Sequence, residues 1–160
     1  MPRRTAFDPL SAALRLLSFR ARSTFELIER LKEKGFSPAA IGPAIEHLSE
    51  AGYLNDEAFA RELVSTRVRN KAWGRHKIAA DLRKRGISSD VAERALKGLD
   101  EGAESATALT AVKRWAKKSC LKPPLDQKAR ERAYRHLSAR GFSTTMAIAA
   151  VRAFEAGAED

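Results

Sequence analysis

The residue types that carry most protein chemistry are few in this chain and poorly spaced for it. His47, His76 and His136 lie 29 and 60 residues apart, with no His-x3-His or Cys-x2-Cys pattern, so no metal site is expected. Cys120 is the single cysteine. It cannot form an internal disulfide and has no ligand partner at metal spacing, which predicts a buried structural thiol in a reducing compartment. Paired acids such as Asp56-Glu57 stand where a helix should begin, and there they serve as caps and partners of the helix dipole rather than as an acid and a base. No glycine-rich phosphate loop is present, because the glycines stand at helix ends. The residues predict no enzyme.

Positive charge is what the chain has in excess. Its 160 residues carry a net charge of +10, a field that draws nucleic acid, an anionic membrane or an acidic protein surface. From Arg61 to Arg85 nine basic residues face only Glu62 and Asp81, so a net of +7 falls within 25 residues. Self-repulsion on that scale costs stability unless a partner uses it. No apolar run approaches the roughly 18 residues of a membrane span. The amino terminus has no apolar signal segment after Arg3 and Arg4, and a cytoplasmic location is expected.

The elements that must position these charges are helices. Ala, Leu, Arg, Lys and Glu abound, strand-like runs are missing, and the apolar residues recur at helical spacing, so the fold is all-α. One punctuation recurs three times: Leu31-Lys32-Glu33-Lys34-Gly35-Phe36-Ser37, Leu82-Arg83-Lys84-Arg85-Gly86-Ile87-Ser88 and Leu137-Ser138-Ala139-Arg140-Gly141-Phe142-Ser143. In each, the glycine closes one helix in a left-handed turn, the leucine can touch the apolar residue after it, and the serine caps the next helix. Glycines 51 and 55 residues apart mark an internal repeat. The predicted architecture is three tandem three-helix, helix-turn-helix-like repeats over 8–52, 53–100 and 101–155, about nine helices in an elongated stack whose neighbours share surface, with a single globular bundle as the alternative shape.

In chain order, Asp8-Pro9 opens the first helix, in which Leu10, Leu14 and Leu17 share a face. Ser23-Thr24-Phe25-Glu26 is a capping box that starts the second, burying Leu27, Ile28 and Leu31. The third runs from Ser37 to about Glu50 and either kinks at Pro43 or begins at Gly42. Asn55-Asp56-Glu57 starts the fourth, with Phe59, Ala60, Leu63, Val64 and Val68 inward and Arg67 at the edge of that stripe. Trp73-Gly74 turns into the fifth, whose Ile78, Ala79 and Leu82 face inward and whose Arg75, Lys77 and Lys84 face out. The sixth follows from Ser88. The seventh, about 101–119, buries Leu109, Val112 and Trp115, and its last turns carry Lys113, Arg114, Lys117 and Lys118, cations that suit the helix carboxyl end. Beyond a stiff Lys122-Pro123-Pro124 link come an eighth helix, about 126–140, and a ninth with Met146, Ile148, Val151 and Phe154 inward. The acidic tail Glu155 to Asp160 is expected to fray.

A helix-turn-helix normally reads duplex DNA with the last helix of the trio. Here the third helix of the first repeat has Glu46 and Glu50 with no Lys or Arg, and the corresponding helices of the others balance their charges. Positive charge lies on the first and second helices of the trios instead, which argues against base-specific duplex reading.

Gly52-Tyr53-Leu54-Asn55-Asp56-Glu57, Phe59-Ala60, Arg67, Lys71, Gly74, Ile78 and Leu82-x-x-Arg85-Gly86-Ile87 resemble the central signature of the RecX family of bacterial regulatory proteins. Leu14-x-x-Leu17 with Arg20-x-Arg22-Ser23-x-x-Glu26-Leu27 is similar to its amino-terminal motif, and Leu137-x-x-Arg140-Gly141-Phe142-Ser143 to its carboxyl-terminal one. The resemblance spans about Leu10 to Phe154, departing at Pro43 and at Pro123-Pro124. It implies three tandem three-helix repeats and a protein that binds the RecA recombinase and its filaments on DNA and usually inhibits them. Lower strand exchange, ATP hydrolysis and coprotease activity would follow, and with them regulation of DNA repair and the SOS response, with no cofactor and no catalytic residue.

The expected RecA- or DNA-binding face comprises Arg67, Arg69, Lys71, Arg75, Lys77, Lys84 and Arg85, extended by Arg20, Arg22, Lys113, Arg114 and Lys117. Arg67, Lys71 and Arg85 match family motif positions, and charge alone selects the others. A monomer is expected, with weak contact to single- or double-stranded DNA. The alternative is a basic helical DNA-binding module that acts without RecA, with binding strongly dependent on salt.

Overall fold

A computed structural model describes residues 8–157 of the chain. Among these residues there are nine α-helices, one π-helical turn and no strand. The helices are α1 (Pro9–Phe19), α2 (Thr24–Glu33), α3 (Pro38–Glu50), α4 (Asp56–Thr66), α5 (Arg75–Lys84), α6 (Ser89–Leu96), α7 (Glu101–Lys118), α8 (Gln127–Ala139) and α9 (Thr144–Ala156), with the π turn at Arg67–Lys71. No helix is long and apolar enough to cross a membrane among the described residues.

The recurrent glycine turns fold as their chemistry demands. Gly35, Gly86 and Gly141 have φ of +88°, +72° and +87°. In each turn the apolar residue after the glycine donates its amide to the leucine carbonyl, Phe36 to Leu31 at 3.2 Å, Ile87 to Leu82 at 3.1 Å and Phe142 to Leu137 at 3.2 Å. Orphan carbonyls at the helix ends are thereby satisfied. Ser37, Ser88 and Ser143 then accept amides three residues on, from Ala40, Val91 and Met146. The Ser23-Glu26 box closes in both directions, at 3.1 and 3.4 Å.

The chain forms two compact units. One comprises the described residues through Ala60 together with Leu82–Ala92; the other comprises Arg61–Asp81 and the described residues from Glu93 on. In the first, α1, α2 and α3 pack pairwise around Leu27, Leu31, Ile41 and Leu48, with Ala12 and Ala13 pressed against them. Leu27 and Leu31 are fully buried, a state that stabilises by about 1.5–3 kcal/mol per side chain. In the second, α7, α8 and α9 pack on one another around Val112, Leu137, Phe142 and Val151, with alanines at 108, 111, 133 and 150 filling the close contacts.

Several local expectations are corrected. Leu14 is exposed, because α1 turns its two small residues Ala12 and Ala13 inward. The third helix does not begin at Gly42. It starts at Pro38 and passes through Pro43, which is exposed and removes one backbone donor from the helix. Cys120 is exposed rather than buried and takes the left-handed closing position after α7 at φ +54°, where Leu121 donates to Ala116 at 2.9 Å. Glu155 does not fray: it lies in α9 and binds Arg130 of α8 at 2.9 Å and the Leu125 amide at 3.0 Å. The rest of that tail beyond Gly157, and the amino-terminal segment holding Arg3 and Arg4, lie outside the described residues.

Candidate interaction surface

The basic side chains divide into those held by the protein itself and those left facing solvent. In the first unit Glu26, at the third position of α2, receives Arg20 at 3.1 Å and Arg85 at 2.7 Å. Burial pushes the Glu26 carboxyl up, but the Arg20 hydrogen bond, the charges of Arg20 and Arg85 and the Ser23 amide outweigh it and hold the group below the usual carboxylate range. The Arg85 carbonyl accepts the Ser23 hydroxyl at 2.6 Å, and Thr24 donates amide and hydroxyl to Asp56 at 2.8 and 3.2 Å. The start of α2 is thus tied to the end of α5. Arg22 is half-buried and donates to the Leu16 carbonyl at 3.4 Å; burial first, then the charge of Arg20, lowers its guanidinium pKa. Lys84 is exposed.

The second unit repeats this docking with other atoms. Gly74 donates its amide to the Arg140 carbonyl at 2.8 Å and His76 to the Gly141 carbonyl at 3.2 Å, while Glu104 accepts the Arg75 amide at 2.9 Å. Free amides at the start of α5 therefore meet carbonyls ending α8 and a carboxylate of α7, which is the favourable sense of both helix dipoles. Glu104 is only 8% exposed, and the Arg75 guanidinium balances it at 3.4 Å while also donating to the Leu99 carbonyl.

The π turn lies at the centre of the cationic cluster. Arg67 pairs with Asp81 at 2.7 Å, and both Arg67 and Lys77 lie over the Trp73 ring, 5.1 and 4.8 Å from its centroid. Lys77 also donates to the Ala139 carbonyl at 2.8 Å, so Lys77 and Arg75 are half-buried and tethered rather than directed outward. Ala72 closes the turn at φ +47°, fully buried. Carbonyls exposed by the turn are taken up by arginines: Arg114 donates to those of Asn70 and Arg69 at 3.4 and 3.3 Å, and Arg140 to that of Lys71. With its backbone fixed in this way, the turn presents the Arg69 and Lys71 side chains to solvent, and Lys113 and Lys117 on α7 are exposed as well.

Of the twelve expected contact residues, Arg69, Lys71, Lys84, Lys113 and Lys117 are exposed, and Arg114 is exposed but bonded to the carbonyls of the π turn. Arg67, Arg75, Lys77 and Arg85 have internal work, as do Arg20 and Arg22. Sequence reasoning missed the partners Asp81 and Glu104 and the roles of Trp73 and Arg140. An acid in a first helical turn, such as Glu104, carries no signal that separates a dipole partner from an ion-pair anchor.

Comparison with known proteins decides the family. The family model for the first three-helix domain of RecX matches residues 10–48, and that for the second three-helix domain matches residues 55–96. The regulatory protein RecX of Mycolicibacterium vanbaalenii is 35% identical over 144 residues, 88% of this chain and 78% of that one. This chain belongs to the RecX family. RecX of Bacillus subtilis is 34% identical over 143 residues, covering 89% of this chain and 53% of that protein. The crystal structure of RecX from Lactobacillus salivarius shares the all-helical RecX fold, with a TM-score of 0.79 at 22% identity over 92% of this chain and 95% of that one. Membership makes this a RecX-type regulatory protein, and Arg67, Lys71 and Arg85 stand within the span matched by the second RecX domain.

Proposed function

We propose that this chain binds RecA and RecA filaments on DNA and inhibits the recombinase, lowering its ATP hydrolysis, strand exchange and coprotease activity and so regulating DNA repair and the SOS response. The observation that carries the reading is membership of the RecX family across nearly nine tenths of the chain. The surface supplies compatible physics. Arg69, Lys71, Lys84, Lys113 and Lys117 are exposed, and such side chains can meet acidic groups on several filament subunits at once, so that modest contacts gain by multivalency. A weaker contact with the DNA strand accompanies this binding. The protein acts in the cytoplasm, needs no cofactor, and uses repeats spanning 8–52, 53–100 and 101–155.

ATP hydrolysis by RecA on single-stranded DNA, titrated with this protein well below one chain per RecA, tests the proposal. Inhibition at such ratios is expected, and the triple variant Arg69→Glu, Lys71→Glu, Lys113→Glu should shift the curve by at least about ten-fold at unchanged helical content. Inhibition only at amounts that coat the DNA would instead make the protein a competitor for the strand.

A further inference from the structure

Within the second unit, an open cleft of about 450 Å³ is lined by Arg114, Trp115, Lys118, Ser119, His136 and Arg140. Its size falls within the roughly 300–1,000 Å³ of ligand clefts. Three of the six side chains are permanent cations and none is an acid. The Trp115 and His136 rings lie together, 6.0 Å between centroids and inclined at 34°. The two arginines are held by hydrogen bonds, Arg114 to the Arg69 and Asn70 carbonyls and Arg140 to the Lys71 carbonyl and to His136 Nε2 at 2.9 Å. His136 is half-buried, and its pKa is lowered first by burial and then by the charges of Arg140 and Lys77.

We propose that this cleft takes one nucleotide unit of a single-stranded nucleic acid, its phosphate on Arg114, Lys118 and Arg140 and its base against Trp115. Cations beside an aromatic face are the pairing that non-specific strand binders use, because every base has a face to stack and every nucleotide a phosphate. A duplex keeps its bases paired and stacked and cannot present one to Trp115. An acidic peptide would satisfy the cations but leave the aromatic face unused. The cleft would supply the strand contact on which the proposed function draws.

The test uses the full chain without RecA. A fluorescently labelled oligothymidylate is titrated with the wild type, Lys118→Glu, Trp115→Leu and the control Lys128→Glu, whose exposed charge on α8 lies outside the cleft lining. Binding should weaken about ten-fold in the two cleft variants and change less than about two-fold in the control. With Trp73→Phe leaving Trp115 as the single tryptophan, the oligonucleotide should quench the remaining emission. Should Trp115→Leu lose helicity, Lys118→Glu and the quench decide. Wild-type affinity in Lys118→Glu, tighter binding of a duplex of equal length, or equal quenching by polyglutamate would overturn the assignment. Since RecA is absent, failure here leaves the filament reading standing, and an inactive titration against RecA leaves the cleft intact.

Discussion

At the scale of single residues, Glu26 shows how one side chain can serve three purposes. It completes the capping box of α2, accepts Arg20, and holds Arg85 at the end of α5. Its carboxyl titrates lower in the folded protein than the ordinary value of 4.5, so the folded state favours the charged form. The stability this contributes is full above that value and is lost as pH falls through the depressed folded pKa. Glu26→Gln keeps the shape but removes the charge that balances Arg85, and should cost about 1–2 kcal/mol at neutral pH. Urea unfolding followed from pH 7 to pH 3 should show the gap between wild type and variant narrowing in the acid range; a constant gap would mean that the carboxylate charge has no part in it.

At the scale of elements, the three glycine turns look alike in sequence but differ in what stands beside them. A Cβ on Gly35 would meet nothing within 4 Å, whereas one on Gly86 would lie 2.3 Å from Phe25 and one on Gly141 2.3 Å from the Lys77 backbone nitrogen. Gly35→Ala should therefore cost only the left-handed backbone penalty, about 1–2 kcal/mol. Gly86→Ala and Gly141→Ala should cost about 1–3 kcal/mol more, because the docked helix must move. Equal losses in denaturant midpoint across the three would show that the close approach is dispensable. This is also where the limit of the sequence lies. Leu-x-x-x-Gly-x-Ser is a local signal, fixed by capping chemistry within seven residues, and every helix it starts or stops was legible. The docking of α2 and α5 onto later turns joins residues far apart in sequence, 59 for Glu26–Arg85 and 62 for Ser23–Arg85 and Lys77–Ala139, and leaves no periodic trace. The π turn at Arg67–Lys71 is invisible for another reason: its residues continue the helical pattern of α4, and the left-handed closing residue is Ala72 rather than a glycine.

At the scale of the whole molecule, a net charge of +10 conceals two populations of cations. Arg67, Arg75 and Arg85 each face a carboxylate that is at most 18% exposed, so removing the arginine takes one countercharge from an acid largely shielded from water. Arg69, Lys71, Lys113 and Lys117 face solvent, and their mutual repulsion is relieved, not increased, when one is lost. The sequence could not sort them, since an arginine at a helical position reads the same whether its acid lies across the core edge or is missing; only the fold brings Asp81 and Glu104 to their partners. The two populations should separate cleanly under substitution. Arg75→Gln should lower unfolding free energy by about 2 kcal/mol, the scale of a lost charge-assisted hydrogen bond, and affect partner binding only through that loss. Lys71→Gln and Lys113→Gln should leave stability within about 0.5 kcal/mol of wild type yet weaken binding, with each lost phosphate contact lowering the salt slope by about one. A lysine variant that weakens RecA inhibition while leaving the salt slope of strand binding unchanged would locate that charge on protein rather than on phosphate. One that changes the slope alone would locate it on DNA.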